Sequence, residues 1–337
     1  MIVSRKEELV INHSITSVII FLSVAFFTVI IEKNLIPRLT KKARQPIYEE
    51  GPSWHKSKAG TPTMGGLAFM ISILLSLAII SPILFNQGYK KSAISVLITF
   101  FFCLGNSIIG MVDDLTKLRR NENAGLTPPQ KLLFQFLIAI IFLMARKYFL
   151  NDSSVIEFPF ANIDFGILYY PTAIILLLGI VNCANLTDGI DALASSVALT
   201  IGAVFLFIGS NSQEISIISS ALMGGTIGFL IFNAYPAKIF MGDTGSLLLG
   251  AISASLAFSC KNPLIIIFIG GVYVIEGVSV ILQVASYKIT GKRIFKMAPI
   301  HHHLEKSGVS ESRICAIAIA ITIVLSSLAI LLLNIKV

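Results

Sequence analysis

The sequence predicts an all-α fold, a polytopic integral membrane protein with about ten transmembrane helices. Three observations lead there. Of 337 residues, 55% are hydrophobic and only 13% are charged, about half the charged fraction of a soluble domain. The apolar residues fall in runs long enough to cross a bilayer, and the charges are left in the connections between them. Gly and Pro, at 24 and 12 residues, are ordinary and there are only 4 Cys, which excludes collagen-like, disordered and disulfide-stapled chains.

A helix needs roughly 20 apolar residues to cross a hydrocarbon core of about 30 Å. Residues 15–31 form the first such run. Glu32 and Lys33 follow it where a signal peptide would carry small residues, so this helix is expected to be retained. The second and third runs cover 64–85 and 92–112, and the third ends at Gly110-Met111-Val112. The fourth covers 132–149, with Arg146 and Lys147 at its end. The fifth, sixth and eighth, at 167–184, 192–208 and 245–260, are short and contain Gly. Runs at 215–234, 264–287 and 314–333 complete the set. Without internal repeats or low-complexity stretches, residues 1–337 are expected to form a single transmembrane domain.

Ten crossings put both termini on one side. The connections 32–63, 113–131, 185–191, 235–244 and 288–313 carry 18 Lys and Arg, against 8 on the opposite face. Positive charge marks the cytoplasmic side, so the richer face is expected inside and both termini outside. A net charge of +8 in so apolar a chain points to anionic lipid and an anionic substrate more than to nucleic acid. Cys103, Cys183, Cys260 and Cys315 are scattered through apolar surroundings, where packing of helices is their expected role.

The chemistry lies in the cytoplasmic connections. Asp113 and Asp114 follow the third run directly, with Lys117 one turn on. Adjacent carboxylates at a membrane boundary repel and lose solvation, so they need a cation, a proton or a base; alone, the pair also fits a solvated helix end. Two further acidic connections share that face, Asn182 to Asp191 and Asn233 to Ser246. Both are too short for more than tight turns, and Gly beside Asp188 and Asp243 lets backbone approach a ligand closely. Three carboxylate clusters facing one cavity suit a hard cation. Magnesium, which takes carboxylates, waters and substrate phosphates, is the expected metal.

The connection 288–313 contains His301-His302-His303 beside Arg293 and Lys296. Adjacent residues on a regular backbone point in different directions, and imidazole suits zinc better than magnesium. Donation to phosphate oxygens is the favoured role, with a zinc site and plain loop polarity as alternatives.

Taken together, these segments resemble the phospho-N-acetylmuramoyl-pentapeptide transferases, within the polyprenyl-phosphate N-acetylhexosamine 1-phosphate transferase superfamily. The similarity runs from about His55 to Glu311. It is carried by Lys58 to Gly66, Asp113-Asp114 with Lys117, Gly125-Leu126-Thr127 with Gln130-Lys131, Asn182 to Asp191, Asn233 to Gly245, and Met297 to His303. The resemblance implies a ten-helix membrane enzyme, a homodimer with a cytoplasmic active site. Such an enzyme transfers the sugar phosphate of UDP-N-acetylmuramoyl-pentapeptide to undecaprenyl phosphate, giving lipid I and UMP with magnesium. It also implies that Asp243 is the magnesium ligand, Asp113 and Asp114 the catalytic pair, and His301, with His302 and His303 beside it, part of the phosphate site. Lys117 and Lys131 match basic residues of the catalytic cavity. Lys58, Asn182, Asn185, Asp188, Gly189, Asp191, Asn233 and Phe240 match positions that bind the nucleotide, Phe240 as the surface for uracil. The chain departs from the family pattern at Ala124, Pro128-Pro129, Leu304 and Val309, and lacks the Arg-Phe-Trp that opens the last helix.

A phosphate monoester has a second pKa near ~6, so a lipid phosphate is mostly dianionic at neutral pH and already nucleophilic. What it needs is relief from repulsion and in-line positioning. Direct attack is therefore favoured, with Asp113 removing or orienting any residual proton, and a phospho-Asp intermediate is the alternative. A sister transferase using UDP-N-acetylglucosamine is the rival enzyme. A cation-coupled transporter is the rival from another class, although transporters place binding groups near the bilayer midplane. Glu276, inside the ninth run, is left without an assigned partner, Gln283 being a guess.

Overall fold

The computed structural model describes residues 2–42, 58, 60–120, 125–158, 160–260 and 262–332, with side chains in the first helix described from residue 13 to 41. The helices are α1 (Ile2–Lys42), α2 (Gly66–Asn86), α3 (Lys90–Arg120), α4 (Pro128–Ala145), α5 (Tyr169–Thr187) and α6 (Leu193–Ile208). Then follow α7 (Gln213–Asn233), α8 (Gly242–Ser259), α9 (Ile266–Ile269), α10 (Gly271–Thr290), α11 (Ile300–Glu305) and α12 (Glu311–Leu332). Between α4 and α5 lies a small antiparallel hairpin, β1 (Val155–Glu157) and β2 (Asn162–Asp164), with Ile156 opposite Ile163. The protein is an all-α, multi-pass membrane protein.

All ten expected runs are helical, but among the described residues 8 helices are long and apolar enough to cross a membrane. The sixth run, α6, has only 16 residues. The eighth, α8, has 18 residues, and Thr244 to Phe258 are buried without exception. Packed against α2, α3 and α5 rather than lipid, α8 tolerates hydroxyls that lower its apolarity. Those hydroxyls bond back to their own helix, Ser253 Oγ to Leu249 O at 2.7 Å and Ser255 Oγ to Ile252 O at 2.9 Å. The ninth run is broken at Gly270, between α9 and α10.

Several boundaries differ from expectation. Helix α1 runs well past residue 31, to Lys42, so the first connection begins as helix. Helix α3 continues to Arg120, which places Asp113 and Asp114 inside a helix rather than at the start of a loop. Two features extend it. Asp113 and Lys117 form an i,i+4 ion pair at 2.7 Å, and Lys117, Arg119 and Arg120 complement the carbonyl end of the helix. The fourth run starts early at Pro128, where the Gln130 side chain accepts the Thr127 N–H at 3.0 Å. It ends in a single π-turn, Arg146–Leu150. Arg146 is buried there and donates to Asp152 and to Phe258 O, both at 2.6 Å.

Two glycines let helices meet backbone to backbone. A Cβ at Gly66 would lie 2.3 Å from Gly245 Cα, and one at Gly110 would lie 2.2 Å from Asp243 O. Small residues at such crossings are how membrane helices approach closely. The first contact seats α2 on α8, and the second brings the carboxylates of α3 to the first turn of α8. The four cysteines are free thiols; Cys315 donates to Asp191 O at 3.3 Å. Leu304 and Val309 pack against the core, while Ala124 and His55 lie outside the described residues.

Candidate active site

Asp113, Asp114 and Lys117 sit on the last turns of α3, spaced so that 113 and 117 share a face. Lys131 comes from the first turn of α4 and Asp243 from the first turn of α8, where a carboxylate suits the positive helix end. The two lysines bridge two carboxylates. Lys117 Nζ lies 2.7 Å from Asp113 Oδ2 and 3.2 Å from Asp243 Oδ1. Lys131 Nζ lies 3.0 Å from Asp113 Oδ2 and 2.5 Å from Asp243 Oδ2. Asp113 is fully buried, and its other oxygen accepts the Leu126 N–H at 2.7 Å. That contact leaves no room at Gly125, where a Cβ would come within 2.3 Å of the same oxygen.

Asp114 is engaged differently. Its Oδ1 accepts the Asp243 N–H at 2.9 Å, and its Oδ2 accepts the Thr244 N–H at 2.9 Å and the Thr244 hydroxyl at 2.6 Å. A carboxylate from α3 thus caps the start of α8. Gly242, with φ +74, makes the turn that precedes it, and a Cβ there would meet Asp114 at 2.8 Å. One oxygen of each of Asp113, Asp114 and Asp243 lies within 4.8 Å of the other two. This all-oxygen donor set fits a hard divalent cation. Asp113 and Asp243 are the better placed, because Asp113 Oδ2 and both oxygens of Asp243 face the ammonium groups of Lys117 and Lys131, which a cation could replace.

Asp188 borders this cluster from the α5–α6 turn. Burial pushes its carboxyl well above the carboxylate range, and repulsion from Asp243, Asp114 and Asp191 adds to that while Lys117 opposes it. Three residues further on, Asp191 belongs to a second ion cluster. Lys58 Nζ lies 2.7 Å from both Asp191 Oδ1 and Glu311 Oε2, and Glu311 also accepts the Asp191 N–H at 2.9 Å. Burial works against the Lys58 charge, but its bonds to Asp191 and Glu311 outweigh this and hold its pKa above the usual value. Asp191 Oδ2 accepts the Ala237 N–H at 2.9 Å.

The asparagines tie elements together. Asn185 donates to Ser246 Oγ at 2.7 Å, joining α5 to α8, and Asn182 donates to Gln135 Oε1 at 2.7 Å, joining α5 to α4. Asn233 accepts the Ala192 N–H at 3.0 Å and donates to Ile239 O at 3.0 Å. The backbone of half-buried Phe240 is zipped to the segment before α2, its N–H to Pro62 O and its carbonyl to Gly65 N–H, both 2.8 Å. The Lys58–Gly66 and Asn233–Gly245 segments therefore form one wall.

The three histidines diverge. His301 is fully buried with Nδ1 3.0 Å from Glu276 Oε2. His302 Nδ1 lies 2.7 Å from Glu305 Oε2, and His303 Nδ1 accepts the Lys296 N–H at 3.1 Å. His301 reaches the turn that carries Asp188. It packs on Gly189, where a Cβ would come within 2.1 Å of Nε2, so the glycine makes room for an imidazole. The partner of Glu276 is His301 and not Gln283, whose amide instead accepts from Ile294 and Phe295 N–H at 3.0 and 2.9 Å. Glu311, Thr244, Ser246 and Gln135 are site residues that sequence reasoning missed. Each lies in or beside an apolar helical run, and only three-dimensional proximity marks it.

Comparisons with known proteins identify the family. Residues 93–261 match glycosyl transferase family 4, and residues 58–70 match a phospho-N-acetylmuramoyl-pentapeptide-transferase signature. The phospho-N-acetylmuramoyl-pentapeptide-transferase of Halalkalibacterium halodurans is 43% identical over 311 residues, covering 90% of this chain and 94% of that protein. Those of Clostridium botulinum and Bacillus subtilis are each 42% identical, covering 89% and 85% of this chain and 91% and 88% of theirs. With identity at this level over nearly the whole length, and with the signature falling on the Lys58 wall of the site, the chain belongs to the phospho-N-acetylmuramoyl-pentapeptide-transferase family.

Proposed function

We propose that this protein transfers phospho-N-acetylmuramoyl-pentapeptide from its UDP conjugate to undecaprenyl phosphate, releasing UMP and forming lipid I for peptidoglycan synthesis. The observation that carries this is the convergence of Asp113, Asp243, Lys117 and Lys131 from three helices within 3.2 Å contacts, in a chain of that family. Such a site neutralises a diphosphate and positions a second phosphate. Magnesium, held by Asp243 with Asp113 beside it, would polarise the diphosphate and offset its charge. Lys117 and Lys131 oppose the repulsion between acceptor and donor phosphates. Asp113, fully buried with one oxygen on the Leu126 N–H, suits orienting the lipid phosphate or accepting its proton better than forming a phosphoenzyme. Lys58, Asn182, Asn185, Asp188, Gly189, Asp191, Asn233 and Phe240 line the neighbouring region, which suits the uridine portion, with the Phe240 ring as its stacking surface.

On this reading the enzyme works in the bacterial cell membrane as a homodimer, with its active site cytoplasmic and both termini outside. The charge asymmetry of 18 to 8 supports that orientation. Lys306 is exposed beyond α11. In a variant lacking the native cysteines, Lys306→Cys is expected to react only with reagents that reach the cytoplasm, and labelling by an impermeant outside reagent would reverse the topology. Sugar choice is tested with the purified protein and undecaprenyl phosphate. UDP-N-acetylmuramoyl-pentapeptide is expected to give lipid-linked product and UDP-N-acetylglucosamine none; efficient transfer from the latter would assign the sister activity.

A further inference from the structure

Glu276 lies in the membrane-spanning helix α10 with 2% of its surface exposed, and the chemistry above does not use it. A carboxylate in that position is costly unless something inside the bundle meets it. His301 does so twice, through its main-chain N–H at 3.3 Å and its Nδ1 at 3.0 Å, both on Glu276 Oε2. An oxygen that accepts the main-chain hydrogen is an acceptor for the ring as well, so Nδ1 carries the hydrogen of the pair. The other nitrogen, Nε2, is buried without a hydrogen-bond partner. It rests on Gly189, next to Asp188, on the turn that faces Asp243 and Lys117. A buried ring nitrogen with no partner, beside the turn that borders the carboxylate and lysine cluster, calls for an explanation, and a ligand oxygen supplies one.

We propose that Glu276 is the positioning residue of His301, fixing the ring through Nδ1–H so that Nε2 is offered to an oxygen of the nucleotide diphosphate. This rests on the transferase reading. When the phosphate oxygen arrives, Nε2 takes up one proton from water and donates it in a hydrogen bond, while Nδ1–H stays on Glu276. The charged ring then lies between two anions. Carboxylate support of a histidine in this manner orients the ring and sets which nitrogen faces the substrate. Among the described residues, His302, its neighbour in α11 with ring centroids 4.2 Å apart, and Asp188, adjacent to the Gly189 on which the ring rests, are titratable groups beside the ring.

Two measurements test this. In a double-mutant cycle, Glu276→Gln is expected to lower kcat about 10–100-fold with little change in KM, and to cost nothing further in a His301→Gln background. Glu276→Asp, which keeps the charge, should recover part of the loss. Equal losses from Glu276→Gln in both backgrounds would overturn the proposal, as would full turnover of His301→Gln beside an active wild type, which leaves the transferase reading intact. The second measurement is ¹⁵N NMR of histidine-labelled protein, with only 5 His to assign and His301 identified by its loss in His301→Gln. The Nδ1–H tautomer is expected in the wild type, moving toward Nε2–H in Glu276→Ala. An Nε2–H ring in the wild type would overturn the pairing. This arm requires no turnover and so decides the pairing even if the transferase reading fails.

Discussion

Replacing Asp243 with Asn is expected to lower turnover at least ~100-fold, about 2.7 kcal/mol of transition-state stabilisation, while the fold is kept. The substitution preserves size and one acceptor oxygen but removes the charge that Lys117 and Lys131 bracket at 3.2 and 2.5 Å. Folding does not depend on that charge alone, because both lysines retain Asp113 at 2.7 and 3.0 Å. On the proposed metal site, cation affinity is expected to fall with it, since Asp243 is the carboxylate on the first turn of α8 whose side chain is partly open, at 14% exposure. The check is kcat at saturating substrate across a magnesium titration, alongside thermal unfolding in detergent. Near-normal turnover in Asp243→Asn would remove it from the metal site.

Asp114→Ala is expected to act in the opposite pattern, through stability first. The Asp114 carboxylate accepts the N–H groups of Asp243 and Thr244 and the Thr244 hydroxyl, all in a buried crossing of α3 and α8. Truncation leaves two buried donors on Thr244 and the half-buried Asp243 N–H without a partner, at a cost of about 3 kcal/mol. A fall of several degrees in Tm is expected, with lost activity following because the first turn of α8 carries Asp243. Asp114→Asn, which retains one acceptor oxygen, should fall between. A Tm unchanged in Asp114→Ala would show that this carboxylate does not hold α8 in place. The two aspartates adjacent in sequence thus divide their work, because consecutive residues on a helix face about 100° apart.

Much of this was legible in the sequence. Each of the ten apolar runs lies on helix, though the short α11 was not marked by one, and the alternation of the connections put Asp113, Asp188, Asp191 and Asp243 on one face. Helix ends were less legible. A hydropathy run stops where apolar residues stop, whereas α3 runs on to Arg120 through an ion pair and a charged last turn. The eighth run was marked as short and Gly-containing, but its enclosure as α8 was not legible, because burial among helices and burial in lipid leave similar apolar signatures. Within the site, residue types were readable and pairings were not. Nothing in spacing tells that Asp114 caps α8 while Asp113 faces two lysines, or that Glu276 meets His301 across 25 residues. Glu311 was missed for the same reason, since it enters the Lys58 cluster only through the packing of α12.

The most direct test of phosphoryl transfer at the Asp113–Asp243 site uses UDP-N-acetylmuramoyl-pentapeptide labelled in the phosphate attached to the sugar. With purified wild-type protein, magnesium and undecaprenyl phosphate, one UMP is expected per labelled lipid formed, and no UMP or labelled protein when the lipid is left out. Absence of labelled lipid in the complete mixture would contradict the transferase function. UMP release without lipid, with label retained on Asp113, would contradict direct attack.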